Sequence, residues 1–422
     1  MVSTIQQLLS SAPPMLASRQ MYYNSGPAPQ MEVPQLIEMA QRVAGFGTTI
    51  FTEINDLATE HGAVNLGQGA PDFPAPPHVL DITRRAVETS RHQYSPGWGY
   101  PEMHVAVAEH AARFYEHEVD PTREVLVTNG ATEGIFAVMM GLLNPGDEVI
   151  LFEPFYDSYL PSVQWAGGIP RYIPLHAPDW HFDRDELAAL FSDKTRAIMV
   201  NTPHNPTGKV FSQEELTFIA ELCQQYDVIA ITDEVYEHIL FDGARHIRMA
   251  TLPGMQNRTV TLSSLGKSFT VTGWKIGWAI GDATLMTGMF RARQFISFAV
   301  ASVLQWAAVE ILRSPDQYFA DLQQMYQDKR DFLFEALSAA PLKPLASQGT
   351  YFIMTDNSAL GLPDDRAFAE YLVKEIGVAC IPPSSFYSEP NRHLAKNLAR
   401  FSVCKTDETL QDAADRLQKI TT

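Results

Sequence analysis

Lys267 stands in the segment SSLGKSFTVTGWKIGW, directly after the apolar run VTLSS, with Ser264, Gly266 and Ser268 close by. A second base, Lys275, follows on the same segment. Most lysines are solvated surface groups, and that is the plain reading of each one alone. Taken with the Ser264 hydroxyl, the two make a basic, hydroxyl-rich pocket that suits a phosphate. An amine held out of water beside another cation has a lowered pKa and can form a Schiff base. In NTPHNPTGKV, residues 201–210, prolines and a glycine break the chain after the run AIMVN. This is either a sharp surface loop or a rigid mount for Asn205, whose amide can donate to a ring oxygen. In VIAITDEVYEHI, Asp233 follows an apolar run. It reads as a capping carboxylate, or as a buried acid that keeps a pyridine nitrogen protonated. Tyr236, expected one helical turn onward, reaches the same ring.

These residues need elements to hold them. From Thr122 the chain alternates short apolar runs (VLVT, EVILFE, RYIPL, AIMVN, VIAITDE, VTLSS) with helix-like stretches such as TEGIFAVMMGLL and SQEELTFIAELCQQY. Buried strands alternating with helices mean an α/β protein with a mostly parallel sheet. Ligands of such sheets sit beyond the carboxyl ends of the strands, where most of the residues above fall. The last hundred or so residues differ. A long charged helix over 315–339, the short strands TYFIMTD, GVACIPP and ARFSVC, and a closing helix suggest a smaller α+β domain. A long helix within 305–339 joins it to the larger one. The apolar stretch FISFAVASVLQWAAVEIL, 295–312, carries Ser297, Ser302, Gln305 and Glu310, so it reads as a buried helix rather than a membrane span. Residues 1–33, rich in Ser, Pro, Gln and Met, read as a loose extension, and a helical pattern over 33–43 begins the folded part.

Composition narrows the field. With 45% hydrophobic and 19% charged residues the chain is globular, which excludes wholesale disorder, collagen and simple coiled coil. Lys and Arg number 31 and Asp and Glu 49, giving 31 − 49 = −18, which argues against nucleic-acid and anionic-membrane partners. Cys223, Cys380 and Cys404 form no metal-ligand spacing and no disulfide framework, as expected of a reducing, cytoplasmic setting. No metal is expected. The N-terminus lacks the basic-then-apolar layout of a secretory signal.

The order Asn-Pro-Thr-Gly, Asp-Glu-Val-Tyr, Ser-x-x-Gly-Lys and Gly-Trp-Lys, with VNLGQGAPDFP, EPFYDSY, QGTYF and IPPSSFYS around it, is recognisable. The sequence resembles the class I pyridoxal-phosphate aminotransferases of fold type I, in the kynurenine, glutamine and methionine aminotransferase group. The resemblance runs from about Phe51 to near the C-terminus. It implies a seven-stranded, mostly parallel sheet in a large cofactor-binding domain at 73–315. It also implies small-domain pieces at 34–72 (with an arm) and 316–422, and a homodimer with shared active sites.

Residue by residue, the resemblance implies pyridoxal 5′-phosphate (PLP) held by Lys267 as a Schiff base, with Asp233 on the ring nitrogen and Asn205 and Tyr236 on the ring oxygen. Ala131 and Thr132 would offer backbone amides to the phosphate at a helix N-terminus, with Ser264 and Lys275 completing that site. Tyr156 would stack on the ring, and Tyr94 would reach the partner subunit's phosphate. Arg400 would clamp the substrate carboxylate, with Gly67 beside it, and Phe298, like Trp98, would add apolar wall. In the kynurenine enzymes a tryptophan, a tyrosine and a histidine stand near Thr49, Thr132 and Ala299. Their absence speaks against kynurenine as preferred donor, and NGATEG looks more like the methionine-type relatives. The implied activity is ping-pong transfer of an amino group from an L-amino acid to a 2-oxo acid. Cysteine-conjugate β-elimination on the same cofactor is an alternative, because the same carbanion precedes both. A non-catalytic cofactor-binding regulator would need a basic DNA-binding appendage that the charge opposes. No GxGxxG follows a strand, which speaks against a nucleotide-binding enzyme.

Overall fold

Seven strands form the main sheet: β1 (Val125–Thr128), β2 (Glu148–Glu153), β3 (Ile169–Pro174), β4 (Thr195–Asn201), β5 (Ile229–Asp233), β6 (Thr259–Ser264) and β7 (Gly277–Ile280). Their spatial order is β1-β7-β6-β5-β4-β2-β3. All pairings are parallel except those of β7, which runs antiparallel to both β1 and β6. The central strands are apolar without alternation because both faces are covered, and β1, β2 and β5 are buried along their whole length. Strand β7, GWAI, escapes a reading of apolar runs, being short and placed straight after the lysine segment. The helix Gln213–Gln225 starts on a capping box between Ser212 and Glu215.

The computed structural model describes residues 39–89 and 92–421. The extension at 1–33 and most of the helix expected over 33–43 lie outside the described residues. In the unit that ends at Gly45, Gln41–Ala44 forms a single helical turn.

In the unit from Phe46 onward, a second, antiparallel sheet joins Leu398–Ser402, Phe352–Asp356 and Lys343–Pro344. A short parallel pair links Val64–Asn65 to Val378–Ala379, which brings residues distant in the chain together. The long charged helix runs Asp316–Ala339, after Pro315.

Two expectations need correction. The stretch 295–312 is not one buried helix. The helix Ala283–Arg293 ends first, Phe295 is 88% exposed, Phe298 takes a left-handed φ of 62°, and a new helix begins only at Ser302. Arg293 enforces the break by donating to the carbonyls of Gly97 (2.6 Å) and Phe298 (2.9 Å), which pulls the chain out of helical register. The connection to the small sheet is likewise two helices, Ser302–Ile311 and Asp316–Ala339, separated at Pro315.

Under the segment after β5 lies a buried polar network. Arg248 donates to Glu234 (3.0 Å) and to Glu237 (2.7 Å), and His246 meets the same Glu234 oxygen at 2.8 Å. Ser263, beside Ser264, donates to Glu237 at 2.5 Å. His110 and His238 share a hydrogen bond of 2.8 Å, and burial pushes their imidazoles down to about 4 and about 3. Neutral rings therefore complete the packing. The network fixes the turns that carry Asp233 and Tyr236 against the end of β6. Asp233 ends β5 itself, and residues 235–238, with Tyr236 among them, form turns rather than the helix expected there.

Candidate active site

The carboxyl ends of the parallel strands meet at a cavity of about 270 Å³. Pairing sets up its floor: Asn201 lies opposite Asp233, and Gly277 lies between Thr128 and Ser264. Ala131, Thr132, Tyr156, Asn205, Asp233, Tyr236, Ser264, Lys267, Lys275 and Arg400 all line the cavity. Residues read from the sequence over a span of 270 positions, from 131 to 400, thus converge on one space.

Lys267 sits on the short helix Leu265–Ser268 that follows β6. Burial pushes its amine down to about 8, with Lys275 and Arg400 acting in the same direction and Cys404 and Asp233 opposing. Its Nζ donates to Tyr351 Oη at 2.9 Å. Asp233 ends β5, and burial pushes its carboxyl up to about 6. Tyr159 opposes that by donating to Oδ2 at 2.7 Å, and Lys267 adds a favourable field. The Asn201 amide holds the Asp233 carbonyl at 2.8 Å. Burial pushes the Tyr156 phenol up to about 12 and that of Tyr236 higher still, so both stay protonated donors.

The helix Gly130–Leu142 points its N-terminus into the cavity. Its first-turn amides and partial positive charge form an anion seat. Lys275, at φ 55°, folds back over this seat, with Nζ 3.5 Å from Thr132 Oγ1. The seat exists because two side chains are missing. A Cβ at Gly130, whose φ is +74°, would meet Lys275 Nζ at 3.2 Å, and one at Gly277 would meet Ala131 N at 2.9 Å. An amine, an acid and a phosphate-sized cationic cup around one ring-sized space match what PLP requires.

Arg400 is 1% exposed on the strand Leu398–Ser402. It donates to Gly67 O at 2.8 Å and Asn205 Oδ1 at 3.0 Å, and its Nε has no hydrogen-bond partner among the described residues. Phe352, Phe51 and Phe386 surround the guanidinium at 4.0, 5.2 and 5.5 Å. Burial pushes this arginine down to about 10. A buried guanidinium with neutral partners only is a strong acceptor site for a carboxylate. Because the Asn205 oxygen is committed to Arg400, its amide nitrogen is left as a donor to a ligand.

Tyr94 and Phe298 are not brought to this cavity. They are 82% and 59% exposed and meet each other edge-on at 5.2 Å. Trp98 stacks on Phe290 at 4.5 Å and does not line the cavity. Gly67 reaches the site through its carbonyl. Thr49 caps the helix Ile50–His61. Sequence reasoning missed Tyr159, Tyr351, Phe51 and Phe352. Tyr159 and Tyr351 lie inside EPFYDSY and QGTYF, but the partners that give them roles come from other segments.

Residues 61–417 match the family described as aminotransferase class I and II. A kynurenine–oxoglutarate transaminase of Dictyostelium discoideum is 39% identical over 417 residues, covering 90% of this chain and 96% of that protein. The solved structure of an N-succinyldiaminopimelate aminotransferase from Mycobacterium tuberculosis superposes with a TM-score of 0.87 at 42% identity, covering 90% of this chain and 99% of the other. An Escherichia coli protein with a methionine aminotransferase function superposes with a TM-score of 0.87 at 36% identity, covering 91% and 100%.

Proposed function

The chain belongs to the class I and II aminotransferases, PLP-dependent enzymes of fold type I, and from its site we propose that it takes the amino group from an L-amino acid with an uncharged side chain. The acceptor is a 2-oxo acid, and the order is ping-pong. The observation that carries this reading is the cavity itself: the Lys267 amine, the Asp233 carboxylate and a cationic helix N-terminus face one space beside an arginine whose hydrogen bonds, among the described residues, go to neutral oxygens.

Ala131, Thr132, Ser264 and Lys275 would hold the phosphate, Asp233 the ring nitrogen, Asn205 and Tyr236 the ring oxygen, and Tyr156 the ring face. Bound PLP supplies an electron sink for the pair left when the substrate Cα loses its proton. Lys267 Nζ removes that proton and returns it, which its lowered pKa allows near neutrality. Arg400 orients the substrate by its α-carboxylate, and the three phenylalanines exclude water from the ion pair. The same rings favour an apolar side chain, in keeping with the methionine-active relative.

A homodimer in the cytoplasm completes the proposal. Tyr94, Phe295, Ile296 and Phe298 form an exposed apolar ledge that a second subunit would cover, with Tyr94 and Phe298 serving the neighbouring site. Three buried free thiols suit a reducing compartment. Among the described residues no helix is long and apolar enough to cross a membrane. Division at 34–72, 73–315 and 316–422 is supported by the main sheet lying between Val125 and Ile280 and the small one between Lys343 and Ser402.

A panel of amino donors (methionine, glutamine, phenylalanine, kynurenine, aspartate) with a 2-oxo acid and PLP tests the reading. Methionine, glutamine or phenylalanine should give the most oxo acid. Turnover of aspartate alone would overturn the substrate class, and no turnover of any donor would overturn the activity.

A further inference from the structure

Tyr351 is fully buried, and its hydroxyl stands between two groups of opposite demand. It donates to Gly69 O at 2.6 Å and accepts from Lys267 Nζ at 2.9 Å. A carbonyl oxygen can only accept, so the single phenol hydrogen is committed to Gly69. The phenol lone pairs therefore face the amine, and the amine must donate. Tyr236, at 5.1 Å and 89°, Tyr326, at 5.7 Å, and Phe352, at 4.9 Å, pack the ring so that it cannot turn away. Gly69 can lie this close only without a side chain, since a Cβ there would come within 2.5 Å of Phe352 and 3.2 Å of Tyr351.

We propose that Tyr351 is a positioning residue that seats the Lys267 amine whenever that amine is not bonded to the cofactor. Held by one N–H, the nitrogen stays in the cavity and keeps its lone pair free for the incoming carbonyl or the substrate proton. Without the seat, a four-carbon chain samples several rotamers, and re-engagement waits on the right one. The proposal rests on the assignment of Lys267 as the cofactor lysine.

The seat also leaves a titration signature. An oxygen whose hydrogen points elsewhere stabilises an ammonium more than an amine. The other titratable groups facing Nζ are Tyr236, Cys404, Asp233, Lys275 and Arg400; all are kept in Tyr351→Phe, and of them Tyr236 is the one that also meets the Tyr351 hydroxyl. Full-length cofactor-free protein is labelled with trace acetic anhydride across pH, and acetylation at Lys267 is read by mass spectrometry. The same preparations are then mixed with PLP, and the visible band of the lysine-bound form is followed in time.

Tyr351→Phe should lower the Lys267 midpoint by about one pH unit and slow formation of the visible band about tenfold, with the far-ultraviolet spectrum unchanged. Gly69→Ala, which keeps the phenol but forces Gly69 away from Phe352 and Tyr351 and so takes the acceptor from the phenol, should change both readouts, and it decides the matter if Tyr351→Phe does not fold. An unchanged midpoint and rate in a folded variant overturn the proposal. If Lys267→Ala still forms the lysine-bound band, the assignment of Lys267 fails, and the seat fails with it.

Discussion

Tyr159 gives its phenol hydrogen to Asp233 Oδ2 at 2.7 Å, on the side of the carboxylate set by the helix Tyr159–Trp165. This bond, with the field of Lys267, works against the burial that raises the acid to about 6. Tyr159→Phe should therefore raise the Asp233 pKa further. The acid limb of kcat/KM moves to higher pH by about one unit, so the rate falls roughly twofold at pH 7 and approaches tenfold only below about pH 6. A pH profile of the variant checks this, and an acid limb that stays in place would separate Asp233 from the activity.

Arg400 has neutral partners and an idle Nε in the free protein. Arg400→Gln should lower kcat/KM for methionine by about 10²–10³, since a buried charge then lacks its counter-ion. An amine lacking the carboxylate should be handled equally by both proteins. Comparing the two substrates in steady-state assays tests the clamp apart from any general damage to the site.

Lys267 is held at about 8, below its ordinary 10.5. A base with a depressed pKa in the fold destabilises the fold at low pH. The missing stability returns as pH rises from about 8 to 10.5. Lys267→Met should thus melt higher than the cofactor-free parent at pH 7, by on the order of 2 °C, and the gap should close toward alkaline pH. Calorimetry at several pH values gives the answer, and a lower melting point at pH 7 would contradict the burial argument.

Arg248 neutralises two buried acids. Arg248→Met should cost about 3–5 kcal/mol of stability by leaving Glu234 and Glu237 without their cation. Glu237 sits at about 2, below its ordinary 4.5. Its stabilising contribution is full above pH 4.5 and is lost as pH falls through about 2. Without Arg248 the acid sensitivity across that window should flatten. Urea unfolding of both proteins between pH 2 and 7 covers both claims.

Much of the main sheet was legible because both faces are covered, so each strand appears as an unbroken apolar run. Lys267, Asp233 and Asn205 were legible because each sits at or just after a strand end within a motif, whereas Arg400, in mid-strand, was marked only by the family resemblance. What stayed hidden depended on pairing across the chain. Tyr159 matters through Asp233, and Tyr351 through Lys267 and Gly69, neither of which spacing can reveal. The region 295–301 misled for a similar reason. Its apolar letters fit a buried helix, but Arg293 claims two carbonyls and turns those side chains outward.

The loop after Asn65 is tied down by groups made much later. Arg400 takes the carbonyl of Gly67, Tyr351 that of Gly69, and Lys405 that of Ala70. During synthesis on the ribosome, then, this early-made wall of the pocket is held only by local bonds such as those to Asn65, and it lacks these three ties until the stretch through residue 405 has emerged. Nascent chains arrested before that point would have the main sheet but no place to receive an amino acid.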